Sequence, residues 1–391
     1  MNIFKQKILW LGVLVITLVL TVFGLAMMGS VIGSKPHDVP VALVVQDEPV
    51  DLPTGDKLAV GEMIKQQLTS NTQLPINWKI VGSEEEARKG LDSRDYYGAL
   101  VLPKDLSAGV ASMMGPAPAP ATVQIISNEG MNSQAATVVK QGLGQVMKMV
   151  SLELSKSALE QLSQRSEQIP AATASALLAP IQVKEEAVHP VGANNASGNA
   201  PGLLTQIMWI GSLVTAMMLF LASNNAKKAA GRKWPAHLMQ PVIGLVLIGA
   251  ASGLIVWMAN AWYGMELSHA TDTWLFLWLS GSAFYMLQSM LLNWIGFPAM
   301  AILVLLMFFS MPILNMPVEF LSDTTQNLLY SWTPLRFVAG GLRETMYFGG
   351  LEAVSSNAAV LWSIAGGCLV LLLAAGVKKG KAASAQTAAS I

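Results

Sequence analysis

TWLFLWLSGSAFYMLQSMLLNWIGFPAMAILVLLMFFSMPILNMPV, residues 273 to 318, contains no Asp, Glu, Lys, Arg or His. A membrane-spanning helix needs about 20 apolar residues, so this run has room for two. Asn293, Gly296 and Pro298 mark the turn between them. Working outward, uncharged runs at 8–34, 203–226, 238–265 and 353–377 each have room for one more. The whole chain is 53% hydrophobic and only 12% charged, a membrane composition. The expected fold class is an α-helical polytopic membrane protein of six transmembrane helices, with an α/β extracytoplasmic domain between the first and second.

Lys5 and Lys7 precede the first run and small residues follow it, as in a signal peptide. Its apolar core is nearer 20 residues than the roughly 7–15 of a signal sequence, which favours a retained helix. Charge sets the orientation. With the N-terminus cytoplasmic, the inner segments carry Lys5, Lys7, Lys227, Lys228, Arg232, Lys233, Lys378, Lys379 and Lys381, and the short outer loops only Arg336 and Arg343. None of the 24 acidic residues then lies inside. The expected organisation is a cytoplasmic N-terminus and first span (1–33), an extracytoplasmic α/β domain with a long helix (34–200), a five-span domain with an outer hairpin at 319–350 (201–377), and a cytoplasmic tail (378–391). Such a chain is a multi-pass protein of the plasma membrane with both termini cytoplasmic.

Within 34–200, strands are expected at VPVALVVQ (39–46), NWKIVG (77–82), YYGALVLP (96–103) and ATVQIIS (121–127). Helices are expected at 57–68, in SEEEARKGLDS capped by Ser83, and in KDLSAGVASMM. This alternation reads as an α/β layer. A long helix at 132–164 carries Val139, Leu143, Val146, Val150, Leu154 and Ala158 at three- and four-residue spacing, a stripe that packs on its own domain or pairs with a second protomer. Residues 186–202 read as a polar linker back to the membrane.

Enzyme chemistry finds no constellation. There is no phosphate-binding GxxxxGK[ST], no GxSxG and no HExxH. His37, His189, His237 and His269 are scattered and Cys368 is the one cysteine, so neither a metal centre, another cofactor nor a disulfide is expected. The basic residues are explained by topology rather than by nucleic acid. Spans without ionisable groups argue against a proton relay, which leaves Gln288 and Asn293 as candidates to line a pathway.

SWTPLRFVAGGLRETMYFGG (331–350) is too short for a span and too apolar for a surface loop. Thr333 as N-cap, Pro334 at the first helical position and Gly349–Gly350 as stop predict a helix over 334–348. It would be about 22 Å long against roughly 30 Å of hydrocarbon. Leu335, Val338, Leu342 and Met346 form its apolar stripe, with Arg336 and Arg343 on a neighbouring face able to reach headgroups. Pro334, Arg336, Arg343 and Glu344 are therefore gate candidates for an exit capped by the hairpin. A plain interfacial anchor is the alternative.

VPVALVVQDEP, WKIVGSEEEARKGLDSRDYYGALVLPKDLSAGV, VQIISNEGMNSQAATVV and PIQVKEEAVHPVGANNASGNAPGLL, in that order, resemble the YhgE/Pip (phage infection protein) family over nearly the whole chain. MPVEFLSDTTQNLLYSWTPLRFVAGGLRETMYFGG resembles the outer loop before the last span in ABC-2 type exporter permeases, the broader superfamily. The resemblance implies one span, a large outer domain and five more spans. It also implies a permease-like subunit of an exporter that moves an unknown, lipidic or envelope, substrate outward in the lipid bilayer, as a homodimer with a separate ATP-binding subunit. Lys227, Lys228, Arg232 and Lys233, in the largest inner loop, are the ATPase-contact candidates. The alternative is a non-transporting surface receptor or scaffold of the phage-adsorption or secretion-associated type.

Overall fold

The computed structural model describes residues 35–376 apart from 53–56, 72–73, 114–117, 164–170, 231–233 and 355, together with Leu14, Thr17, Thr21 and Gly24. Those four are helical. The rest of the expected first span, Arg232, Lys233 and the tail at 378–391 lie outside the described residues. The chain forms two compact units. One is Ile32–Val191 with Met316–Ser322, and the other contains Gly192–Asn315 and the chain from Asp323 onward.

The first unit is an α/β layer. Its strands are β1 (Val39–Val45), the two-residue β2 (Val50–Asp51) and β3 (Lys57–Leu58), β4 (Ile76–Val81), β5 (Gly98–Leu102), β6 (Ala121–Asn128) and β7 (Ile181–Val188). The main sheet runs β4-β1-β5-β6-β7, parallel except for the antiparallel pair β5–β6. Helices α1 (Val60–Ser70), α2 (Glu84–Asp92), α3 (Leu106–Ser112), α4 (Ser133–Ser163) and α5 (Ala171–Leu177) connect them. Alternation along β1 divides the core: Val39, Val41 and Leu43 face Ile64, Leu68, Leu106 and Val110, while Ala42 and Val44 face Ala87 and Leu91 of α2. β5, at the middle of the sheet, is buried at every residue, which is why it reads as an unbroken apolar run.

The local signals hold at the expected helix start. Ser83 accepts from Glu86 N at 3.1 Å, and Glu86 returns a carboxylate to Gly82 N at 2.8 Å. The helix expected from Lys57 instead begins at Val60, because Lys57–Leu58 pairs with Val50–Asp51. The stripe on α4 is buried by its own unit: Val139, Leu143, Val146 and Val150 are all in the core, and Gly142 and Gly144 do not interrupt the helix. A strand absent from the sequence reading, β7, takes the edge, with Ile181 as its one buried residue. One boundary also differs from expectation. Met316–Ser322, of which residues 319–322 are the expected start of the hairpin, belongs to the α/β unit. There Phe320 enters the core, Tyr97 Oη donates to Glu319 Oε2 at 2.6 Å, and His37 N donates to Glu319 O at 3.1 Å.

The second unit is helical: α6 (Ala200–Ala230), α7 (Trp234–Ala261), α8 (Ala270–Ile295), α9 (Ala299–Leu314), α10 (Pro334–Tyr347) and α11 (Ser356–Ala375). Four of these, α6, α7, α8 and α11, contain stretches long and apolar enough to cross a membrane; α9 is apolar but has 16 residues, about 24 Å at 1.5 Å per residue. Six spans were expected, and four helices among the described residues meet the length. α8 is the most buried of the four. Small residues on α7 admit its aromatic side chains: a Cβ at Gly244 would strike the Tyr285 ring, and one at Gly249 the Trp278 indole. The aromatic polar atoms then use carbonyls of α7, with Trp274 Nε1 donating to Gly249 O at 3.1 Å, Trp278 Nε1 to Leu245 O at 2.9 Å, and Tyr285 Oη to Gln240 O at 2.8 Å.

Candidate functional site

α10 is the expected helix, with Pro334 at its start, but its apolar stripe meets protein rather than lipid. Leu335, Val338 and Leu342 are fully buried and Met346 nearly so, all within the core of the helical unit. Gly341 allows the close approach, since a Cβ there would enter the Phe276 ring of α8. Thr333 occupies the N-cap position, yet its hydroxyl makes no capping bond and is buried. Start and stop come from Pro334 and from the turn at Gly349, whose φ of 110° suits glycine.

Its polar residues fasten α10 to its neighbours. Arg343 Nη2 donates to Leu314 O at the end of α9, 3.4 Å away. Tyr347 Oη donates to Asn195 Oδ1 at 2.7 Å, just before α6. Glu344 is buried, and its Oε1 accepts from Asn357 Nδ2 of α11 at 3.0 Å. Arg336 is half-buried, not extended to solvent: its guanidinium lies 4.1 Å from the Phe337 ring centre and 4.6 Å from that of Tyr330, and Nη2 donates to Ser331 O. Pro334, Arg336, Arg343 and Glu344 thus sit together on one short helix tied to three others.

Gln288 and Asn293 form a second group, about 18 and 26 Å further along α8 from Phe276. Gln288 is fully buried; its Nε2 donates to Trp209 O of α6 at 3.2 Å, while Oε1 meets no partner among the described residues. Asn293 Nδ2 donates to Ser289 O at 2.8 Å and lies 3.5 Å from Gln240 Oε1. Gln240 is buried, with Nε2 also unpartnered among the described residues. Half-satisfied amides inside apolar helices cost several kcal/mol in hydrocarbon. The sequence reading missed Gln240, Asn195 and Asn357. Gln240, followed by Pro241 in an uncharged run, was the visible signal; the two asparagines sit beside helix starts, where asparagine is commonplace.

Lys227 and Lys228 fall in the last turn of α6. Among the described residues no three His, Cys, Asp or Glu side chains come together to hold a metal ion. No curated protein and no solved structure matches the chain. A family model described as ABC-2 family transporter protein matches residues 7–377, which takes in the α/β unit, the apolar helices and α10. On that match the chain belongs to the ABC-2 family of transporter proteins, as the membrane component of a transporter.

Proposed function

We propose that this protein is the permease subunit of an ABC-2 type exporter of the YhgE/Pip branch, a homodimer in the plasma membrane that moves a lipidic or envelope component outward with a separate ATP-binding subunit. In this reading there are six spans, both termini are cytoplasmic, and the α/β unit lies outside. The observation that carries it is α10, a 14-residue helix that does not span but buries its apolar face and Glu344 among the helices that do. A carboxyl buried at such a place is a functional marker, because an anchor has no use for it. Arg336, Arg343 and Glu344 then act at the exit, Gln288 and Asn293 line the path from the other end, and Lys227, Lys228, Arg232 and Lys233 meet the ATPase.

Affinity capture of the full chain from membranes in mild detergent tests the partnership. A subunit bearing the phosphate-binding motif that this chain lacks should co-purify in stoichiometric amount. Its absence, under conditions that hold other permease–ATPase pairs together, overturns the exporter reading in favour of the surface receptor.

A further inference from the structure

GANNASGN, residues 192–199, carries the chain from the α/β unit to the start of α6. Its backbone is left-handed at five of eight positions: φ is 76° at Gly192, 56° at Asn194, 50° at Ala196, 53° at Ser197 and 84° at Gly198. Glycine takes such angles freely and asparagine tolerates them, but in alanine or serine the Cβ crowds the following carbonyl. The adjacent pair Ala196–Ser197 is therefore strained.

A set of hydrogen bonds within the helical unit clamps this strap against the strain. Ala193 N donates to Glu266 Oε2 at 2.9 Å, Glu266 N returns a bond to Ala193 O at 3.1 Å, and Asn194 Nδ2 donates to Gly264 O at 3.1 Å. Asn195, 2% exposed, divides its amide between two elements. Nδ2 donates to Glu266 O at 3.1 Å in the α7–α8 loop, and Oδ1 accepts from Tyr347 Oη at the end of α10. Its own carbonyl accepts from Gly198 N and Ala200 N, closing the turn. None of these bonds uses the side chain of Ala196 or Ser197, so glycine at either position would remove strain and keep every bond. Strain and clamp thus oppose each other, which brings the released strap closer in free energy to the held one than the bonds alone would leave it.

We propose that residues 192–199 are a strained latch that opens and closes together with the C-terminal end of α10. The inference rests on the reading of α10 as a working part at the exit and gives that part a connection. Tension on the chain arriving from the α/β unit reaches α10 through Asn195 and Tyr347, and displacement of α10 frees the strap. The coupling is reciprocal: what holds one end closed protects the other.

Amide hydrogen exchange of the full chain in mild detergent, read by mass spectrometry, tests the latch. Ser197→Gly relieves strain and should slow exchange over 192–200 about fivefold, and over 344–348 in the same direction. Tyr347→Phe removes one hydroxyl and should speed exchange over 192–200 about fivefold, although the two stretches lie far apart in sequence. Peptides from 276–292 of α8 should stay unchanged in both variants, which shows that the helical unit is intact. In an unstrained loop glycine only adds freedom, so unchanged or faster exchange in Ser197→Gly overturns the strain. An effect of Tyr347→Phe confined to 344–348 overturns the coupling. If Tyr347→Phe does not yield monodisperse protein, Ser197→Gly decides alone, since it must protect 344–348 as well as the strap. The measurement needs neither substrate nor ATPase. Failure here leaves the exporter reading standing, and failure of co-purification leaves the measured coupling in place.

Discussion

At the scale of single residues, Asp47 carries more of the α/β unit than any neighbour in sequence suggests. Its carboxylate accepts from Gly61 N at 2.7 Å, from Ser107 N at 2.7 Å and from Ser107 Oγ at 2.5 Å, while that hydroxyl accepts from Val60 N. One side chain thus fixes the first turns of α1 and α3. Asp47→Ala leaves these donors unpaired and should cost roughly 1–3 kcal/mol, read as a lower denaturant midpoint for the α/β unit. Glu186 gives a pH-dependent counterpart. Hydrogen bonding to the Arg88 guanidinium is the main cause that holds its carboxyl below the ordinary 4.5, with burial opposing. A carboxyl depressed in the folded state stabilises at pH above that ordinary value, and the contribution is lost as pH falls through the lower folded value. Unfolding followed from pH 6 downward should show acid destabilisation that Glu186→Gln diminishes; the pair is a third exposed, so the effect is modest. Ser83 was legible in the sequence because a cap and its partner are three residues apart. Asp47 was not, since its partners on α3 lie 60 residues away and nothing local announces them.

Among the elements, periodicity and charge decided what could be read. The uncharged runs announced α6, α7, α8 and α11, and the alternation of strands with helices announced an α/β layer. β7 escaped because an edge strand buries little: Lys184 and Glu185 are exposed and Glu186 is half-buried, with Glu185 meeting Lys140 at 2.7 Å and Glu186 meeting Arg88 at 2.8 Å, and charges on an edge look like a linker. The amphipathic stripe of α10 fixed its face but not its surroundings, because an apolar stripe is equally satisfied by lipid and by protein. The glycines now separate those cases. Gly341→Ala adds a methyl against Phe276 and should destabilise the purified protein by about 1–3 kcal/mol. Gly366→Ala adds one into open space and should not. Thermal unfolding in detergent compares the two, and equal midpoints would mean that α10 does not pack on α8 as described.

For the whole molecule, topology is the statement most open to direct test. On a Cys368→Ser background, Glu352→Cys should react with an impermeant thiol reagent on intact cells and Asn225→Cys should not. Both positions are exposed, so burial does not confound the comparison, and the reverse pattern inverts the orientation drawn from Lys227 and its neighbours. The α/β unit itself is not a contiguous insertion. The chain passes between the two units at residue 32, at 191, and twice more around Met316–Ser322. An engineer who excises residues 35–191, or grafts in the equivalent domain of a relative, leaves Phe320 without its pocket and Glu319 without Tyr97. Exchange of this domain between proteins therefore has to carry a second, distant patch of sequence with it, and chimaeras joined only at its two obvious ends would inherit a mismatched clasp.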